Sequence, residues 1–340
     1  MANPNDRGFN TIHNSRVARR RKTETLQMYT IFGVIGLAVL TLIILAVMAV
    51  GGFVGNTTPG TTTPGGEKID WGTFTVTTTD TLHGDLVLVN NAHAYTFPTT
   101  DEHLAEIYNT WKPNPKQPPQ PYVLSGLSIY MDKDALHALD AMLVDFAAAT
   151  GRTNVQLRYA YRTYEEQEGK DVLPGHSDHH TGLGCALQYT DENNVAHDLS
   201  LDPVYNWLFE NAHRYGFISR YPADKTEMTG IEDYNYYFRY VGVAHATYMV
   251  QNNLCMEEYI ELLKNFDNEK PLKIAGADGK SYEVYYVAVD GSTTVKHPTN
   301  YPYTVSGTNE GGVVITVNRS AVSQLPEDTA ADTAAGTGES

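Results

Sequence analysis

Three stretches of this chain concentrate side chains able to do chemistry. The first is Pro174-Gly175-His176-Ser177-Asp178-His179-His180-Thr181-Gly182-Leu183-Gly184-Cys185-Ala186-Leu187, which sets three imidazoles beside a carboxylate. The second is Thr229-Gly230-Ile231-Glu232-Asp233-Tyr234-Asn235-Tyr236-Tyr237-Phe238-Arg239-Tyr240-Val241-Gly242, in which two acids precede a run of tyrosines. The third is Tyr161-Arg162-Thr163-Tyr164-Glu165-Glu166-Gln167. Imidazole and carboxylate groups at this density can ligate a metal or relay protons. A surface His cluster is more often simply solvated. On a strand, His179 and His180 would point to opposite faces and could not share one metal, whereas on a loop they could. Arg162 offers a planar fork that grips a carboxylate through two parallel hydrogen bonds. Tyrosine faces suit peptides and sugar rings.

These residues need elements to hold them. Asp132 to Ala149 places Leu136, Leu139, Met142, Leu143 and Phe146 at helical spacing, which predicts an amphipathic helix. Val155 to Ala160 and Tyr236 to Val241 read as strands, as does the apolar run Asp85 to Asn90. Val204 to Tyr215 and Thr247 to Leu263 read as helices. Two-residue alternation in Tyr282 to Val289 and in Val313 to Val317, with the turn signal Asp278-Gly279 upstream, predicts hairpins. Helices and strands in mixed order give an α+β fold.

Outside this part the sequence changes character. Thr30 to Val54 carries no charge. As a helix it would cover roughly 38 Å, enough for a bilayer core of ~30 Å. Arg16, Arg19, Arg20, Arg21 and Lys22 precede it, so the expected topology is a cytoplasmic N-terminus and an extracytoplasmic remainder. A cleaved signal peptide is the rival reading, with Ala49-Val50-Gly51 as its weak cleavage site. The Thr/Pro/Gly run before Trp71 reads as a tether, the Pro-rich stretch Pro113 to Pro121 as a loop, and the acidic end as a disordered tail. The expected order is a basic segment 1–29, a transmembrane helix 30–54, a linker 55–67, a main domain 68–266, a β-rich extension 267–319 and a tail 320–340. Net charge is −16 although the first thirty residues are basic, so the globular part is acidic and nucleic acid is excluded as a partner. Two cysteines, Cys185 and Cys255, make no metal or disulfide framework, and their pairing is open.

The three stretches, with Asn211 to Ile218, Arg220-Tyr221-Pro222 and Tyr282 to Val287, resemble the VanY-type D-alanyl-D-alanine carboxypeptidases of the zinc peptidase superfamily that includes lysostaphin-type enzymes. The resemblance runs from about Asp85 to Leu263. It implies a small antiparallel sheet flanked by helices, and a zinc held by three protein ligands. His179 stands at the first ligand position. Ala186 stands where the family has an Asp, Tyr237 where it has the last His, and Tyr234 where it has the Glu that acts as base. The resemblance assigns Arg162 to the free carboxylate of a peptide stem, and it gives substrate contacts to Gln167, Ser177, Thr181 and Arg239. His197-Asp198, His213 and His245 fall outside its metal positions.

With two ligands and the base replaced, the sequence supports three readings. One is a catalytically impaired relative that binds peptidoglycan stem peptides or a cell-wall protein. The second is an active carboxypeptidase with a metal site rebuilt from His176, Asp178, His180, Glu232 or Asp233. The third is an assembly module that uses the β-rich extension.

Overall fold

The computed structural model describes residues 68–110, 121–232, 234 and 236–321. Its strands are β1 (Trp71–Thr77), β2 (Leu104–Glu106), β3 (Tyr122–Leu124), β4 (Tyr130–Asp132), β5 (Val155–Tyr159), β6 (Gly184–Thr190), β7 (Ala196–His197), β8 (Phe217–Ser219), β9 (Tyr237–Tyr240), β10 (Leu272–Ala275), β11 (Ser281–Ala288), β12 (Ser292–Pro298), β13 (Tyr303–Gly307) and β14 (Gly312–Asn318). The main helices are α1 (Lys133–Thr150), α2 (Asn206–Asn211), α3 (Val243–Gln251) and α4 (Met256–Leu263), joined by short 3-10 turns. The mixed helix-and-sheet class expected from the sequence holds.

The central sheet runs β3-β5-β6-β9-β8, with β7 added beside β6. Only the β3–β5 pair is parallel; the rest is antiparallel. Helix α1 covers one face. Asp132 starts it by accepting from the backbone N–H groups of Asp134 (2.9 Å) and Ala135 (3.1 Å). Gly151 ends it in the left-handed conformation (φ 72°), which returns its N–H to the Ala147 carbonyl. The stripe Leu136, Leu139, Met142, Leu143 and Phe146 packs on Val155, Leu157, Cys185 and Leu187. Because side chains alternate along a strand, the same stretch of β6 turns Ala186 and Gln188 to the other face. There Ala186 joins a separate aromatic cluster with Tyr221 and Tyr237.

A second layer is built by the all-antiparallel sheet β10-β11-β14-β13. The predicted turn at Asp278-Gly279 closes β10 on β11, with Gly279 at φ 77°. Leu272, Ile274, Val284 and Val314 bury against α3 and α4. Strand β1, far away in sequence, pairs along its length with β12, from Trp71↔Pro298 to Thr77↔Ser292.

Several expectations change. Asp85 to Asn90 is not a strand. Leu86, Val87, Leu88 and Val89 are buried, but the Asp85 and Val87 carbonyls accept from the Arg239 guanidinium, and the Leu86 N–H is taken by the Ser306 hydroxyl. The segment begins in a turn and continues without a ladder; side chains of Arg239, Ser306 and Asn309 take much of its backbone bonding, and the Leu88 N–H donates to the Thr308 carbonyl. The helix expected over Thr247 to Leu263 is two helices, broken where Asn253 takes a positive φ of 50° and Cys255 caps α4. Val204 to Tyr215 is α2 flanked by 3-10 turns. Cys185 and Cys255 are buried and unpaired. The Thr30 to Val54 span, the linker and the tail beyond Ala321 lie outside the described residues, as does most of the Pro-rich loop; among the described residues no helix is long and apolar enough to cross a membrane.

Candidate functional site

The three chemistry-bearing stretches converge on the face of the central sheet opposite α1. Strand β5 ends at Tyr159 and delivers Arg162. The turn Asp178–Thr181 places His179 at the head of β6, and β9 carries Tyr237. The β6–β9 register sets Ala186 directly across from Tyr237. The two substituted ligand positions therefore face one another, a relation no local pattern encodes.

His179 donates from Nδ1 to the Ala160 carbonyl at 2.7 Å, which leaves Nε2 as an acceptor. Burial, helped by the nearby Arg162 charge, pushes its pKa down to about 3, so the ring is neutral. The Tyr237 ring meets it edge-on, centroids 4.5 Å apart, and stacks on Tyr221 at 5.7 Å. The Tyr237 hydroxyl donates to Asp178 Oδ2 at 3.2 Å. A Cβ at position 184 would come within 2.1 Å of that hydroxyl oxygen, so Gly184 is what admits the ring. Burial, then the Asp178 charge, holds the Tyr237 phenol well above its ordinary pKa. It is a neutral donor, and Ala186 is a fully buried methyl group. Tyr234 is also pushed up, by burial and then by Asp171, and cannot act as a base near neutral pH.

A zinc ion, which the resemblance implies, does not fit these residues. One neutral imidazole, one methyl and one protonated phenol do not make the three-ligand shell that such a site needs. The neighbouring histidines do not complete it. His176 Nδ1 bonds the Asn90 carbonyl (2.9 Å), and His180 bonds the Arg162 carbonyl through Nδ1 (2.8 Å) and accepts from the Gly175 N–H through Nε2 (3.0 Å). Asp178 is buried between two fully buried arginines. It accepts from Arg239 Nη1, and Arg220 Nε lies at 3.8 Å. Glu232 is exposed. Among the described residues no three His, Cys, Asp or Glu side chains gather as a metal shell; Asp233, the remaining member of the rebuilt site expected from the sequence, lies outside the described residues.

What remains is a cleft of about 280 Å³ lined by Arg162, Gln167, Ser177, His179 and Tyr234 together with Tyr159, Tyr221, Tyr236 and Tyr237. The Arg162 guanidinium lies 4.2 Å from the Tyr159 ring centroid and donates to Gln167 Oε1 at 3.2 Å. Gln167 is itself held by donating to the Val172 carbonyl at 2.8 Å. Arg162 is therefore fixed on two sides and faces the cleft. Thr181 and Arg239, expected from the sequence at the ligand, do not line this cleft. Thr181 closes its own turn, donating to the Asp178 carbonyl and accepting from the Leu183 N–H. Arg239 spends its donors on Asp178 and on the carbonyls of Asp85, Val87 and Tyr240. His245 is bonded between Tyr259 and Thr316, away from the cleft. Sequence reasoning missed Tyr159 and Tyr221 as cleft walls; the pairing of Tyr159 with Ala186 is what puts it there.

Comparison with known proteins places this fold in a carboxypeptidase family. Residues 170–243 match the family model described as VanY, D-alanyl-D-alanine carboxypeptidase. A D-alanyl-D-alanine carboxypeptidase of Enterococcus faecium is 33% identical over 252 residues, covering 72% of this chain and 78% of that protein. One of Enterococcus faecalis is 36% identical over 116 residues, covering 34% of this chain and 39% of the relative. The crystal structure of the vancomycin resistance D,D-dipeptidase VanXYg, in complex with a D-Ala-D-Ala phosphinate analogue, superposes with a TM-score of 0.62 at 26% identity, covering 73% of this chain and 99% of that one. This chain belongs to the VanY D-alanyl-D-alanine carboxypeptidase family.

Proposed function

We propose that this chain is a non-hydrolysing member of its family, held at the cell membrane by Thr30 to Val54 with its domain outside. Its cleft binds peptidoglycan stem peptides that end in a free D-alanine. One observation carries the reading: the Arg162–Gln167 pair is in place beside ligand positions filled by Ala186 and Tyr237. A carboxylate-gripping group without a metal-holding group suits binding better than hydrolysis. The relatives' chemistry supports the ligand class, since the Enterococcus faecium protein is a D-alanyl-D-alanine carboxypeptidase and the VanXYg structure holds a D-Ala-D-Ala analogue.

The test combines elemental analysis of the purified chain with calorimetric titration of a stem pentapeptide. Zinc should be well below one per chain, and no D-alanine should be released. The peptide should bind, and Arg162→Ala should weaken it about tenfold or more, because a charge-assisted bond contributes about 1.5–3 kcal/mol. One tightly bound zinc per chain with chelator-sensitive D-alanine release would establish an active enzyme instead. Absence of peptide binding would shift the role to assembly through residues 267–319.

A further inference from the structure

We propose that the ligand cleft continues past Tyr236 into a second subsite, built from Arg158, Gln188, His197 and Asp198, that takes the upstream, charged residues of an extended peptide. The inference rests on the reading of the Arg162 cleft as a peptide site.

The observation is a neighbouring cavity of about 220 Å³ whose lining includes Arg158, Gln188, His197 and Asp198. Tyr236 lines both this cavity and the Arg162 cleft, so one side chain forms the ridge between them. The backbone beneath that ridge is held by the sheet, because the Tyr236 carbonyl accepts from the Leu187 N–H at 2.9 Å. The two cavities also adjoin along β5, where Tyr159 lines the Arg162 cleft and its neighbour Arg158 lines the second cavity. Each residue of an extended peptide covers ~3.4 Å, so a ligand that crosses the Tyr236 ridge reaches the second cavity within a few residues.

The side chains of the second cavity have a definite chemistry. The Arg158 guanidinium packs on the Tyr159 ring, 5.1 Å from its centroid; Arg162 packs on the same ring at 4.2 Å. One ring thus carries a cation toward each cavity. Arg158 is exposed, and among the described residues no carboxylate pairs with it. Asp198 is exposed and supplies the opposite charge. His197 is set in place by Asp191 (3.1 Å) and by stacking on Tyr189 (5.1 Å). Gln188 donates to Gln156 Oε1, and its amide oxygen can accept from a peptide N–H. A cation, a carboxylate and an amide lining one cavity match a peptide with an acidic and an amine-bearing side chain upstream of its C-terminus. They match an apolar ligand poorly.

The test uses the full-length chain and two probes, the dipeptide D-Ala-D-Ala and the pentapeptide L-Ala-γ-D-Glu-L-Lys-D-Ala-D-Ala, titrated by calorimetry. The pentapeptide should bind roughly tenfold tighter, the size of one added charge-assisted contact. Arg158→Ala and Gln188→Ala should each weaken the pentapeptide and leave the dipeptide unchanged, and that unchanged affinity also shows that the variants fold. Arg162→Ala should weaken both probes. Equal affinity for the two probes, or pentapeptide binding untouched by both second-cavity variants, overturns the second subsite and leaves the Arg162 cleft standing. Failure of both probes to bind overturns the peptide reading of the Arg162 cleft, and the second subsite with it.

Discussion

Restoring the family residues gives the most demanding test of the site. Ala186→Asp alone places a carboxylate at a position 0% exposed, across from a neutral phenol and near the buried Asp178. An unpaired buried charge costs several kcal/mol, so this variant should lose about 3 kcal/mol or more. Tyr237→His alone loses the stack on Tyr221, about 0.5–1.5 kcal/mol, and the hydroxyl donor to Asp178, about 1–3 kcal/mol. The double variant should be less damaged than the sum, because the new imidazole faces the new carboxylate across β6 and β9; coupling between such neighbours is about 0.5–3 kcal/mol. With Tyr234→Glu added, zinc at a hundred times its Kd should stabilise the triple variant by about 2.7 kcal/mol. For a folded unit of this size that is a rise of roughly 5–10 °C in Tm. Urea unfolding of the four members of the cycle, and melting with and without zinc, read out both parts. A wild-type chain stabilised by zinc as much as the triple variant, or an Ala186→Asp variant as stable as wild type, would refute the reasoning. A folded triple variant blind to zinc would show that the cleft's shape was lost along with its ligands.

Other perturbations follow from the same geometry. Asp178→Ala strands the buried Arg239 without its carboxylate, while Arg220 keeps Glu257, and should cost about 3–5 kcal/mol in urea unfolding; a loss under 1 kcal/mol would remove Asp178 from the structural centre. Burial raises the Asp85 carboxyl from 3.8 to about 6, so its ionisation penalises the folded state above pH 6 and the penalty vanishes below about pH 4. Asp85→Asn should therefore stabilise the protein by on the order of 2–3 kcal/mol near pH 7–8 and hardly at all at pH 4, and an equal effect at both pH values would contradict this. His245, held down to about 4 by burial, acts oppositely, because the unfolded chain takes up its proton first; the stability it protects is lost as pH falls from about 6.5 towards 4, and His245→Gln should flatten that part of the pH profile. Full-length protein should remain in the membrane fraction after a carbonate wash, whereas a mature N-terminus near Gly52 would mean that the apolar run is cleaved.

How much of this was legible in the sequence depended on how local the cause was. Helix α1 was readable because its stripe, its Asp132 cap and its Gly151 stop all lie within the segment. Strands β5 and β9 and the turn at Asp278-Gly279 were readable for the same reason. The Leu86–Val89 segment was not, because an apolar run looks the same whether its carbonyls meet a strand or the guanidinium of Arg239. The break before α4 turns on the conformation of Asn253, which a helical pattern passes over. At the site, motif order was enough to identify His179, Ala186, Tyr234 and Tyr237. Motif order could not tell a cleft-lining arginine from a structural one: Arg162 lines the cleft while Arg239 is interior, and only tertiary placement separates them. The aromatic walls Tyr159 and Tyr221 depended on cross-strand register and so were missed.

The pairing of β1 with β12 bears on how the domain would carry a mechanical load. A pull applied to the chain upstream of Lys68 meets first the bonds that Lys68 and Asp70 make with Thr299 and Asn300, and then the ladder of β1 on β12. That ladder belongs to the layer made with β11 and β14, not to the sheet that bears Arg162. Tension would thus be met by a strand pair set apart from the cleft, and the first element to yield would be one that no ligand touches. A domain tugged from its amino-terminal side would keep its grip on a bound peptide until β1 had been stripped away.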